Sequence, residues 1–274
     1  MTTRIALVTG CRSGFGLAIA IDLAKAGFKV YAGLRDPSTG LTLVAAAAGL
    51  AVVLVALDVT VAAERERVVA DLVRAEGRLD VLVNNAGVAL DGPLELISEA
   101  ALRKVFEVNV FGAWAMTQAC LPTMRAQRSG HVIMISSMSG RMAMPMMGGY
   151  AASKHALEGM SEAWRHELAP LGVQVVLVEP GPFKTDLFKD SAPAASDPGD
   201  YQGLITRFQT LSKSVFDKAG DPQAVAKLVT RLVRQQHPAL RHPIGPTARL
   251  RTILKRVLPD SGLELIVRRV TRAK

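Results

Sequence analysis

Short apolar runs rich in Val, Ile and Leu alternate along this chain with longer stretches in which apolar residues recur at helical spacing. The short runs lie near residues 4–9, 28–34, 51–57, 79–84, 131–137 and 173–179 and read as strands. Between them the helical period predicts helices over Leu17–Ala26, Glu64–Glu76, Ala100–Gln127, Tyr150–Leu171 and Pro222–Gln236, with Pro122 ending or kinking the third. A seventh, short strand is expected near Leu240–Ile244. Strict alternation of strand and helix implies an α/β fold, a parallel sheet with helices on both faces.

Three stretches need separate treatment. No charge occurs between Asp36 and Asp58, but Gly49 splits the stretch, and a membrane span needs about 20 apolar residues. It reads as a helix followed by a strand buried on both faces, ending at Asp58-Val59-Thr60. Ser191–Gly199, rich in Ser, Ala, Pro and Asp, resembles a linker. Beyond residue 246, an extension over 247–274 holds eight Lys/Arg against two acids. Leu250, Ile253, Leu254, Val257 and Leu258 form one helical stripe there, and Leu263, Ile266, Val267 and Val270 a second after the Pro259–Gly262 break. Such a stripe usually packs on its own domain or on a subunit partner, which is the favoured reading; a basic amphipathic helix on an anionic membrane surface is the alternative.

Composition narrows the class. A chain of 274 residues that is 49% hydrophobic can bury a full core, which excludes a disordered protein. Cys11 and Cys120 stand far apart, without a C-x-x-C motif or a histidine cluster, so neither a disulfide framework nor a metal site is indicated. A reducing, cytoplasmic compartment is the default, and the first apolar run is too short for a secretory signal. The net charge of +9 is concentrated in the extension; without interleaved aromatics it does not point to nucleic acid.

Candidate chemistry begins with Tyr150 and Lys154, one helical turn apart on a shared face. A phenol normally titrates near ~10, and a neighbouring cation favours phenolate, so the pair suits acid/base work on an alcohol or carbonyl. Ser137 lies upstream at the end of a strand, where ligands meet open α/β sheets. Further back, Thr9-Gly10-Cys11-Arg12-Ser13-Gly14-Phe15-Gly16 follows the first strand and opens a helix. Strand, glycine-rich turn and helix in that order form a cradle for a dinucleotide pyrophosphate, although the spacing differs from G-x-G-x-x-G.

Taken together, the stretch Thr9–Gly16, Asn84-Asn85-Ala86-Gly87, Asn109, Ser137, Tyr150, Lys154 and Pro180-Gly181 resembles the classical short-chain dehydrogenase/reductase family. The likeness runs in order over roughly the first 245 residues, and Gly148-Gly149-Tyr150 and Val178–Thr185 look most like the retinol and hydroxysteroid dehydrogenase branch. The resemblance implies a single Rossmann-type doubly wound domain over residues 1–246, with a substrate lid near 186–221. It implies Tyr150 as general acid/base, Ser137 as hydrogen-bond partner of the substrate oxygen, and Lys154 as the group that lowers the phenol's pKa and binds the nicotinamide ribose. Asn109 would hold a water in a relay behind Lys154. Gly10, Arg12, Ser13, Gly14, Phe15 and Gly16 would cradle the cofactor; Asp58 and Val59 would meet its adenine. Asn85, Ala86 and Gly87 would line the cleft beside Pro180 and Gly181, and Thr185 would meet the carboxamide. No metal is implied.

Cofactor choice turns on the end of the second strand, where Leu34-Arg35 stands in place of an acidic residue. A carboxylate there would bind ribose hydroxyls, whereas Arg35, with Arg12, suits a 2′-phosphate. NADP(H) is therefore preferred, with NAD(H) as the alternative. Six of ten methionines fall between Met134 and Met147. Met138, Met144 and Met147 in particular suggest an adaptable apolar pocket for a steroid-, retinoid- or lipid-like alcohol or carbonyl; core filling is the competing reading. By resemblance the long helices 100–127 and 150–171 imply a homodimer or homotetramer.

Overall fold

The computed structural model describes residues 2–40, 46–187, 198–245 and 247–271. Seven strands, β1 (Ile5–Thr9), β2 (Lys29–Leu34), β3 (Val52–Ala56), β4 (Val81–Asn84), β5 (Gly130–Ile135), β6 (Val173–Pro180) and β7 (Arg241–Ile244), form one parallel sheet in the order 3-2-1-4-5-6-7. The central strands are buried on both faces, which is why their sequences run apolar without alternation. Ala6, Val8, Ile133 and Val176 project into one layer with helices α1 (Gly14–Lys25) and, near the end of the domain, Pro222–Leu232. Their neighbours Leu7, Leu82, Val132 and Leu177 project into the other layer, against α2 (Ala62–Glu76), Ala113–Gln127 and Gly148–Leu168.

Several expectations need correcting. The helix predicted over 100–127 is α3 (Glu99–Phe106), a π-helical turn over Glu107–Gly112, and α4 (Ala113–Gln127). Pro122 does not end α4. It lies on the exposed side with Gln118, so the carbonyl deprived of its partner can turn to water. The strand expected to be buried on both faces, β3, is the sheet's edge, and Val53 is 37% exposed. Of the helix expected before it, residues 41–45 lie outside the described residues; Gly49, at φ +75°, ends the segment.

Helix α5 (Gly148–Leu168) begins two residues before Tyr150. Residues 188–197 of the expected lid lie outside the described residues; α6 (Gln202–Asp217) covers much of the rest and buries none of its side chains. After α7 (Pro222–Leu232), the extension folds as α8 (Ala248–Val257) and α9 (Asp260–Thr271). Here α8 packs on β7 and the turn Met138–Gly140, and α9 packs on α6, anchored by buried Ala248 and Leu263. Leu254 and Leu258 are half-buried, but Leu250, Ile253 and Val257 from the same predicted stripe stand in solvent. Among the described residues no helix is long and apolar enough to cross a membrane.

Candidate active site

Strand order reverses between β1 and β4, and this opens a crevice at their C-terminal ends. Thr9, buried at the end of β1, ties the two sides together: its hydroxyl accepts the Asn85 and Ala86 amides at 3.0 and 2.9 Å and donates to the Val83 carbonyl at 3.3 Å. The Asn85 side-chain Nδ2 donates in return to the Thr9 and Gly10 carbonyls at 2.8 and 3.0 Å. Asn85 is thus a clamp between loops, with its side-chain donors already engaged. Gly10 and Gly14 take φ of +72° and +59°, and a Cβ at Gly16 would lie 2.2 Å from the Gly10 carbonyl oxygen. Only glycine fits there, so the chain can turn tightly into α1. Ser13 at the N-cap leaves the first amides of α1 without a side-chain cap, free to meet an anion.

Around this cradle the other predicted residues fall as follows. Thr185 faces Gly14, its Cβ 3.3 Å from where a Gly14 Cβ would sit. The Phe15 ring packs edge-on against Phe183 at 5.3 Å, so it serves the core and can offer a ligand only its backbone. Arg12 and Arg35 are exposed. Arg35 has no carboxylate partner among the described residues, and adjacent Asp36 instead accepts from its own turn at Ser38. Asp58 likewise accepts the Thr60 amide and hydroxyl, and Val59 is buried against the π turn at Gly112. Pro180 ends β6, and the Gly181 amide donates to Ile244 at 2.9 Å.

On the opposite side of the crevice, Ser137 lies just past β5, and its hydroxyl hydrogen-bonds to the Tyr150 phenol while accepting the Ser139 amide at 3.0 Å. Lys154 Nζ is buried, 5.7 Å from the Tyr150 ring centroid, and donates to the Ile135 carbonyl at 2.9 Å. A Cβ on Gly87 would come within 3.8 Å of that ammonium, so the β4 loop runs close beside it. Asn109, on the π turn, binds both backbone groups of Val88 and donates to Ser153 at 3.0 Å; Ser153 in turn donates to the Tyr150 carbonyl at 2.7 Å. An extra residue in a helical turn often re-aims side chains at functional sites.

The electrostatics run against one expectation. Burial pushes the Tyr150 phenol up to about 12, with a smaller opposing pull from Ser137, where the sequence pointed to lowering by Lys154. The ammonium is aimed at Ile135 instead, and desolvation of a buried phenolate outweighs its influence. Lys154 itself is brought down to about 8 by burial, opposed by Glu158.

Of the three pocket methionines, Met138 is buried and Met144 and Met147 half-buried; nearby Met134 is core filler. A cavity of about 820 Å³ lies between Arg141, Ala143, Pro145, His155 and the extension at Leu263 and Val267. Met142 lines it; Met138, Met144, Met147 and Tyr150 do not. The sequence reading overlooked Thr9 as a clamp, Ser153, and the buried acids Glu158 and Glu179. The acids had left a signal: Glu158 follows Lys154 by one turn, and Glu179 is the one charged residue of a strand whose only other polar side chain is Gln174.

A doubly wound sheet with a glycine cradle at its switch point, facing a serine, a tyrosine and a lysine, defines an oxidoreductase that works with a nicotinamide dinucleotide. The family model for short chain dehydrogenases matches residues 4–196. Human 17-beta-hydroxysteroid dehydrogenase type 1 is 40% identical over 278 residues, covering 95% of this chain and 82% of that protein. A short-chain dehydrogenase structure from Streptomyces avermitilis matches with a TM-score of 0.84 at 36% identity, covering 98% of this chain and 97% of the other. A metagenomic short-chain oxidoreductase in complex with NADP matches at 0.71 and 28% identity over 89% of this chain and 97% of its own. One from Burkholderia phymatum in complex with NAD matches at 0.82 and 27% over 97% and 95%. The chain belongs to the short-chain dehydrogenase family and is an oxidoreductase of alcohol and carbonyl groups.

The Thr9 clamp makes a stability prediction. Thr9→Val keeps the shape but strands two amides and a carbonyl, and should lower stability by about 1–3 kcal/mol in urea unfolding, whereas Thr9→Ser stays near the parent. Equal stability for all three would mean that the clamp does not hold the crevice together.

Proposed function

We propose that this protein interconverts a hydrophobic alcohol and its ketone or aldehyde, with NADP(H) as the preferred cofactor and NAD(H) as the alternative. The observation that carries this reading is the Ser137–Tyr150 hydrogen bond beside buried Lys154. Bound nicotinamide would supply or accept hydride at the carbinol carbon. A substrate oxygen between Ser137 and Tyr150 would accept from the serine hydroxyl and take the phenol's proton, and the burial that keeps Tyr150 protonated favours it as a donor to a carbonyl. Lys154 holds positive charge beside the phenol and would hydrogen-bond a ribose hydroxyl. The Asn109 side chain is spent on Val88 and Ser153, so its part is to fix the helix face that carries Tyr150. The glycine cradle fits a pyrophosphate because side chains are excluded from it. Exposed Arg35, without a carboxylate partner among the described residues, supports a 2′-phosphate.

The half-buried methionines and the likeness to a steroid dehydrogenase support a steroid-, retinoid- or lipid-like substrate. Buried Cys11 and Cys120 suit a reducing cytoplasm. Phe111 and Trp114, exposed where the π turn meets α4, support a homodimer or homotetramer. A specific observation also favours contact with a lipid surface: Leu250, Ile253, Val257, Leu265 and Ile266 are exposed on a strongly basic extension beside α6.

Three outcomes test this. Tyr150→Phe should cut turnover of a lipophilic ketone panel by about 10²–10⁴-fold while NADPH binding, read by fluorescence, survives; turnover at the parent rate would remove Tyr150 from the chemistry. Arg35→Ala should weaken NADPH about tenfold and leave NADH affinity as it was; equal effects on both would assign Arg35 elsewhere. The full chain should co-sediment with anionic vesicles at low salt, and the triple change of Leu250, Ile253 and Val257 to Ser should abolish this; a dimer that dissociates on the same change would make the stripe a subunit contact.

A further inference from the structure

One helical turn beyond Lys154, on the same face of α5, Glu158 is 4% exposed and meets Glu179 of β6, which is 1% exposed. The charged groups facing them come from every neighbouring element. Arg241 of β7 donates from Nε to Glu158 at 3.1 Å and stands 3.6 Å from Glu179, while its other nitrogen reaches Glu162 of α5 at 3.0 Å. Arg141, from the loop after β5, is 3.9 Å from Glu158; Lys154 lies toward the active site and His166 toward the surface beyond Glu162. The backbone of Gly140 closes over the group, since a Cβ there would sit 2.9 Å from Ser136 Oγ and 3.0 Å from Glu158 Cγ.

The bonding does not balance for two ionised carboxylates. Oε1 of Glu158 and Oε1 of Glu179 are both buried without a hydrogen-bond partner, the latter with Arg241 Nε only at 3.6 Å, although the two side chains are within hydrogen-bonding reach. Carboxylates only accept, so neither can satisfy the other; a single proton between them satisfies both. We propose that Glu158 and Glu179 share one proton and act together as a positioning pair for Lys154, their remaining negative charge keeping the buried ammonium charged. This deepens the reading of Lys154 as part of the proton-transfer site and rests on it.

The pH behaviour follows from the same geometry. Burial, and then the negative charge of Glu158, push the Glu179 carboxyl up to about 7, against weaker pulls from Arg141 and Arg241. Glu158 also counters the burial that brings Lys154 down to about 8. As pH rises past neutrality the pair releases its proton and gains a second negative charge. That gain comes where Lys154 would otherwise start to lose its proton, so the pair widens the range over which the ammonium persists.

Heteronuclear NMR titration of the full chain labelled in lysine and glutamate reads this without relying on turnover, with Lys154 assigned by the signal missing from Lys154→Arg. Glu179 is expected to titrate above pH 6; a midpoint in the ordinary carboxylate range would overturn the shared proton. Glu158→Gln should lower the Lys154 midpoint by about one unit, Glu179→Gln by less, and Glu158→Asp should restore it. If Glu158→Gln fails to fold, Glu179→Gln decides: an unmoved Lys154 midpoint overturns the proposal. In turnover the same shift should move the alkaline limb of the kcat/KM profile, whereas a purely structural role would lower kcat and leave the limb in place. An NMR shift in a chain inert on every alcohol and carbonyl tried would keep this inference and sink the proposed reaction.

Discussion

A charged amine held in the protein interior by a strand-end carbonyl is the constraint around which this structure is organised. Lys154 gives up water, and what it receives is the Ile135 carbonyl at 2.9 Å and the field of Glu158. Neither is negotiable for a buried ammonium, because an uncompensated charge at such depth shifts toward neutrality. The carbonyl is available only because β5 ends at Ile135, and the strand's next residues turn away to deliver Ser137. The helix carrying Lys154 is fixed in rotation by Tyr150, Ser153 and Glu158, each facing a different partner in the same wall.

The other half of the site depends on exclusion of side chains. Thr9 and Asn85 bind β1 and β4 across the crevice, and the glycine turn then passes so close to both that a methyl group at position 16 has no room. Close approach of backbone to backbone is what leaves the amides of α1 open to an anion. The two halves meet at Gly87, whose loop lies beside the ammonium and beside Asn109. The glycine cradle and the group of Ser137, Tyr150 and Lys154 are thereby brought to one place by the ends of β1, β4 and β5 and the starts of α1 and α5.

Much of this was legible in the sequence because the central strands are buried on both faces and carry unbroken apolar runs. Tyr150, Lys154 and Ser137 stood out by spacing and by position at strand and helix ends. What escaped was whatever depends on partners distant in the chain. Thr9 and Asn85 become a clamp only when β1 and β4 are neighbours. The π turn over Glu107–Gly112 leaves the same apolar pattern as an ordinary helix, and Pro122 is the residue in that stretch whose chemistry signals a break or kink. β3 is as apolar as an inner strand but lies at the edge. Burial of the phenol, which reverses the expected direction of its pKa, cannot be seen from a Tyr and a Lys one turn apart.

That reversal also marks the sharpest test. The chain has three tyrosines, so ultraviolet difference titration of phenolate formation, with Tyr150→Phe as the blank, isolates Tyr150. A phenol that serves as the proton-transfer group beside Lys154 and a bound nicotinamide should titrate near 12 in the protein alone and at least about two units lower once NADP⁺ is added, because positive charge then faces it in the same cleft. An ionisation that stays where burial alone puts it, with NADP⁺ bound, would contradict the account.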